Sequence, residues 1–111
     1  MNIKILQLDH SKMGEELFHK FSFNQYSTID EAYPNKTDLL KFYTQVYEIV
    51  NYQPETMDTN EHSICEDIFV KFNMKLPSDF EGRSLSMSDI ILVNDKRYYY
   101  VDAIGFKMFT I

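Results

Sequence analysis

Along Ile3-Lys4-Ile5-Leu6-Gln7-Leu8, apolar and polar side chains alternate over most of the segment, which predicts a strand that Asp9 ends. Between Gly14 and Phe23 the apolar residues Leu17, Phe18 and Phe21 are compatible with a short helix or an irregular aromatic-rich stretch. Tyr26-Ser27-Thr28-Ile29-Asp30 reads as a further helical turn. Tyr33-Pro34-Asn35 closes it, because proline disfavours helix at the residue before it. From Leu39 to Val50 two periods compete: Leu39, Leu40, Tyr43, Val46, Tyr47 and Val50 fit a helical face, while Tyr43 to Val50 is dense in β-branched and aromatic residues. The strand is the preferred reading.

Asn51 to Asn60 is polar, contains Pro54 and reads as a loop. Ser63-Ile64-Cys65-Glu66 has the capping-box pattern, in which the serine hydroxyl and the glutamate carboxylate each satisfy an unpaired backbone N–H at a helix start. Ile64, Cys65, Ile68, Phe69 and Phe72 then recur at helical spacing and give that helix one apolar face. Pro77 and Gly82 bracket a turn-rich connection. Ile90-Ile91-Leu92-Val93 and Arg97-Tyr98-Tyr99-Tyr100-Val101 follow as a hairpin around Asn94-Asp95-Lys96, since Asn and Asp tolerate positive φ. Gly105 marks a bend, and Phe106 to Ile111 reads as a last strand.

These elements predict an α+β fold: a small antiparallel sheet of three to four strands, with a C-terminal hairpin, packed by one main amphipathic helix. At 111 residues the chain is expected to form a single domain, 1–111, and its 44% hydrophobic content supplies a core. No apolar run approaches the roughly 20 residues of a bilayer span, and charge interrupts the first residues too early for a secretory signal. A cytoplasmic protein with no membrane association is expected. A lone Cys65 and no zinc-type His/Cys spacing give no reason to expect a disulfide, a metal or another cofactor.

The net charge of −6 is spread evenly along the chain. It argues against direct nucleic-acid binding, where Lys and Arg neutralise phosphates, and favours a protein partner with a basic surface. Solubility is the plainer account of the same charge. Glu55, Asp58, Glu61, Glu66 and Asp67 form a stretch without Lys or Arg that could imitate a phosphate track. A solvated helix start is the commoner use of such residues. Tyr98, Tyr99 and Tyr100 cannot all face inward on a strand, so at least one is expected at the surface as an interface anchor.

The densest polar motif runs from Asp79 through Gly82, Arg83, Ser84, Ser86 and Asp89, with Asp102 and Gly105 beyond the hairpin. Arg83, Ser84, Ser86 and Asp102 could bind an anion or move a proton. No histidine or cysteine lies near them in sequence, however, and the structural use is preferred: hydroxyls and carboxylates that satisfy backbone N–H groups, and an arginine that ties loops together. His62 and Cys65 are spaced to meet on one helical face, but Cys65 also occupies a core-facing slot. No catalytic residue is assigned.

These residues resemble the YodL-like domain found in small and polyvalent proteins of bacterial mobile elements. Cys65 to Asn73 is similar to the family's helix, which reads leucine, glutamate, aspartate, isoleucine and tyrosine and ends in phenylalanine-asparagine. The resemblance continues through Pro77 to Ile90 and Tyr99 to Phe106, and more weakly to Gln7 and to Val46-Tyr47. Arg83 stands where the family often has histidine, and Ala103-Ile104 replace a serine-phenylalanine pair. The resemblance implies a protein of phages, plasmids or conjugative elements. Its expected role is as a non-enzymatic inhibitor of a host protein, foremost an anti-CRISPR protein acting on a type II effector nuclease. Interference with the actin-like cell-shape cytoskeleton is the alternative it carries, and a small enzyme built on Arg83, Ser84, Ser86 and Asp102 is the other.

Overall fold

The computed structural model describes residues 1–54 and 60–111, and its elements run in the order β1 (Ile3–Leu8), α1 (His10–Met13), α2 (Glu15–Phe21), α3 (Tyr26–Ala32), α4 (Lys36–Leu40), β2 (Tyr43–Ile49), α5 (Glu61–Met74), β3 (Ile90–Val93), β4 (Arg97–Val101) and β5 (Phe106–Phe109). The strands form one antiparallel sheet in the order β2-β1-β3-β4-β5. The class is α+β, as expected. Among the described residues the sheet nevertheless has five strands where three to four were predicted, and four short helices accompany the one long helix, α5.

The additional helices explain why. Successive strand residues point to opposite faces, and both faces are covered. Ile3, Ile5, Ile91, Val93 and Tyr99 meet α5 through Ile64, Cys65, Ile68 and Phe72. On the other side, Leu8, Ile90, Leu92, Tyr98, Tyr100 and Phe109 meet Met13, Phe21, Ile29 and Leu39, which come from α1, α2, α3 and α4. A strand covered on both faces reads as an unbroken apolar run, and Ile90 to Val93 is one. Tyr98, Tyr99 and Tyr100 follow the same rule: all three are buried, which corrects the expectation that one of them faces solvent.

Local signals fix the ends. Asn94 and Asp95 both have φ of 54°, the conformation a type I′ hairpin needs at its two central residues, and the Lys96 N–H closes the turn on Val93 O at 3.1 Å. The start of α5 lies before the predicted capping box. Asn60 is the N-cap, its side-chain oxygen accepting from the His62 N–H at 2.9 Å, and Ser63 stands inside the first turn. Glu61 then takes a bidentate pair from Arg97 at 2.6 and 2.7 Å and a hydrogen bond from the Tyr99 hydroxyl at 2.7 Å, locking the helix start to β4.

The two capping assignments predict different mutants. Asn60→Ala lowers stability by about 1 kcal/mol, whereas Ser63→Ala stays within about 0.5 kcal/mol of the parent. Urea denaturation of both variants distinguishes them, and the reverse ranking would restore the capping box.

Candidate functional site

The chain leaves α5 and crosses residues 75–89 with no helix or strand before it enters β3. A segment without a hydrogen-bonded ladder must find partners for its backbone elsewhere, and here Gln7 supplies them. It occupies an inward position of β1, two residues beyond Ile5, and is buried. Its amide works as a short strand: the Arg83 N–H donates to Gln7 Oε1 at 3.1 Å, and Gln7 Nε2 donates to Arg83 O at 2.9 Å. Gly82 permits that approach, because a Cβ there would collide with Gln7 Oε1.

The same amide reaches Asp89. This carboxylate, fully buried, accepts from Gln7 Nε2 at 3.1 Å, from the Ser86 N–H at 2.8 Å, and from Arg83 Nη1 and Nη2 at 3.1 and 2.9 Å. Arg83 Nη1 also donates to Ser86 Oγ at 2.6 Å, and the Phe23 ring lies 5.4 Å from Arg83 Cζ. Phe23 is held there at a φ of 59°, rare for a bulky side chain. Burial pushes the Asp89 carboxyl up to about 6, desolvation outweighing the attraction of Arg83 and the hydrogen bonds it accepts.

Of the expected polar motif, Arg83, Ser86 and Asp89 come together, with Gly82 beside them. Ser84 is exposed and gives only its backbone carbonyl to Arg83, at 3.2 Å. Asp102 has a separate task, accepting from the Tyr26 N–H at 3.0 Å and the Ala103 N–H at 2.9 Å, so it ties the start of α3 to the β4–β5 turn. Gly105 adopts a φ of 70° in that turn. Asp79 is exposed and pairs with the Tyr47 hydroxyl, whose pKa burial and this carboxylate both raise. The arginine-serine-aspartate set expected for an enzyme is thus divided between two places.

The other candidates are likewise placed in the fold. Cys65 is buried and its thiol is pushed up to about 12 by desolvation, away from the thiolate a nucleophile needs. His62 makes an edge-on contact with the Tyr99 ring at 5.3 Å. Among the acidic run, Glu61 is taken by Arg97 and Tyr99, Asp67 is held low by Tyr52 and Lys71, and Glu66 is exposed. Glu55 and Asp58 lie outside the described residues. No group of His, Cys, Asp and Glu suited to a metal ion occurs among the described residues, and no described helix is long and apolar enough to cross a membrane.

The surface formed by the described residues includes two open depressions. One, of about 330 Å³, is lined by Gln7, Asp9, His10, Thr44, Glu81 and Arg83. The Asp9 carboxyl in it is held down at about 2 by the Ser11 and Thr44 hydroxyls. The other, of about 390 Å³, lies between α5 and the β4–β5 turn and is lined by Glu66, Phe69, Val70, Asp102, Gly105 and Phe106.

Asp89 and Asp9 act on stability with opposite signs. The folded-state value of Asp89, about 6, lies above its ordinary 3.8, so the folded protein holds the proton more tightly than the unfolded chain. That contribution is present in full below 3.8 and declines as pH rises toward about 6. Asp9 is depressed, so its contribution is present above 3.8 and is lost as pH falls toward about 2. Asp89→Asn is expected to abolish a change of about 3 kcal/mol across the upper interval. Denaturation of parent and variant at a series of pH values reads this, and identical slopes between pH 4 and 6 would refute a raised Asp89.

No curated protein and no solved structure matches the chain. The profile of the YodL-like domain does, over residues 2–111. Its span includes β1 with Gln7, the clamped loop with Arg83 and Asp89, and the β4–β5 turn with Asp102, and the chain belongs to the YodL-like domain family.

Proposed function

We propose that this protein acts by binding: it is a mobile-element inhibitor that occupies a functional surface of a host protein. The observation that carries this reading is the groove beside α5. Its apolar lining, Phe69, Val70 and Phe106, lies open beside the carboxylate of Glu66. Val70 and Met74, 53% and 81% exposed, extend the apolar stripe one helical turn further. Apolar anchors beside a carboxylate suit a partner segment that carries both apolar and basic side chains, and the net charge of −6 favours its approach.

The polar depression supports the same side of the choice. Arg83 lines it with its guanidinium already bound to Asp89 and Ser86, and Asp9 and Glu81 share the same wall, opposing the anion an arginine site would take. The tyrosine hairpin, being buried, no longer serves as the binding face, and Glu61 and Asp67 are engaged within the fold. The proposed surface is therefore Glu66, Val70, Met74 and the β4–β5 turn. A type II CRISPR effector nuclease, with its basic grooves for nucleic acid, is the target to test first.

The experiment measures the purified nuclease for binding and DNA cleavage with the parent protein, Val70→Arg and Glu66→Lys. The parent is expected to bind and inhibit, and each variant to lose at least tenfold in affinity, about 1.4 kcal/mol, without loss of thermal stability. Cleavage unaffected by the parent protein would overturn this target; inhibition unchanged in both variants would overturn the groove.

A further inference from the structure

The two edges of the sheet are finished differently. On β2 the extra residue Val46 bulges opposite the Ile5–Leu6 step, and its carbonyl accepts from the Glu81 N–H at 3.3 Å. A bulge and the clamped loop thus both interrupt that edge, the usual protection against pairing with another chain. β5 has neither among the described residues.

The direction of its backbone groups follows from its neighbours. The Val101 N–H donates to Asp89 O at 2.8 Å and Val101 O accepts from the Ser88 N–H at 3.0 Å, so Val101 faces the β3 side. The Asp102 N–H reaches the other way, to Gly105 O, at 3.0 Å. Alternation along an antiparallel ladder then aims Tyr98 and Tyr100 at Phe109 and Lys107, and turns the N–H and C=O of Phe106 and Met108 outward. No hydrogen bond from the described residues reaches these outward groups. Around them stand Ile104, Met108 and Ile111, which are 89%, 48% and 70% exposed.

We propose that β5 pairs with the β5 of a second copy of this chain, antiparallel about a two-fold axis at Met108, joining the two sheets into one. Charge selects the occupant. Copies of a chain with net charge −6 repel, yet residues 103–111 contain no acidic side chain and a single charged one, Lys107. Symmetry selects the register. An antiparallel two-fold axis normal to the sheet sets one residue against its own copy, which leaves Lys107 or Met108 within the middle of β5. Centring on Lys107 brings two ammonium groups together across a close, non-hydrogen-bonded pair, which is unfavourable. Centring on Met108 uses its outward N–H and C=O, sets Phe106 against Thr110, and lays each Lys107 beside the second copy's Phe109. The axis keeps the faces of the sheet, so both α5 helices lie on the same side.

Sedimentation equilibrium over a wide concentration range tests this with the parent chain, Met108→Pro and Met108→Lys. The parent is expected to dimerise with rising concentration. Proline removes only an outward N–H and lysine places two more charges at the axis, so each variant is expected to remain monomeric with an unchanged melting temperature. Met108→Cys should in addition form an intermolecular disulfide on oxidation, since facing Cα atoms about 5.5 Å apart permit the bond. A parent that stays monomeric at every concentration overturns the proposal, as does a dimer that persists in Met108→Lys. If Met108→Pro fails to fold, Met108→Lys and Met108→Cys carry the same decision.

Discussion

A charged carboxylate with no contact to water is costly, and Asp89 is tolerated because every donor around it is aimed at it. Gln7, the Ser86 N–H and both Arg83 nitrogens converge on its two oxygens. The raised carboxyl shows that the partners do not fully offset desolvation. Its contribution is better described as specification than as net stability. A long segment with no ladder of its own acquires one conformation, because Arg83 can meet Asp89 while its backbone pairs with Gln7 in only one way. Removing a single member would leave buried Gln7 or Asp89 short of a hydrogen bond, the circumstance in which polar groups cost most.

Coverage of the sheet on both faces sets what the rest of the surface offers. With α5 on one side and the four short helices on the other, the tyrosines and the apolar β3 run are consumed as core. Three of these tyrosine hydroxyls still find internal acceptors: Tyr43 on Ser88 O, Tyr100 on Asn24 O and Tyr99 on Glu61. Among the described residues, exposed large apolar side chains stand on the outer side of α5 (Val70, Met74), in the β4–β5 turn (Ile104) and at β5 and beyond it (Met108, Ile111), with Phe23 and Val50 elsewhere. Apolar side chains left exposed in this way are where burial against another molecule gains most.

Sequence pattern made most of the framework legible. β1, β2, the hairpin and the apolar face of α5 follow from periodicity and turn chemistry, and Asn94-Asp95 forms the turn those residue types favour. The misreadings have physical causes. Short helices such as α1 and α4, of four and five residues, are too brief to show a period, so helical turns are legible at α2 and α3 but not the covering layer that all four make together. Without that layer, three adjacent tyrosines had to include an exposed one. Ser63 and Glu66 matched a capping pattern, but Asn60 stood earlier with an equally good side chain. At the candidate site, Arg83, Ser86 and Asp89 are close in sequence and meet in the fold, whereas Asp79 and Asp102, which the motif also suggests as partners of Arg83, belong to other ties. Gln7 carried the available signal, a polar residue in line with Ile3 and Ile5, and the partner it needs lies 76 residues away.

The clamp also decides which edge of the sheet is closed. Gln7 fixes Arg83, Arg83 fixes the chain through Gly82, and Glu81 then falls where its N–H meets the bulged Val46 carbonyl of β2. The loop thus serves at once to place Asp89 at the start of β3 and to shield the edge nearest to it. β5, at the far side of the sheet, lies beyond its reach. One buried carboxylate therefore has an effect across the whole sheet: it spends the polar side chains of the loop on the fold and closes the first edge, while β5 at the opposite edge carries no such cover among the described residues.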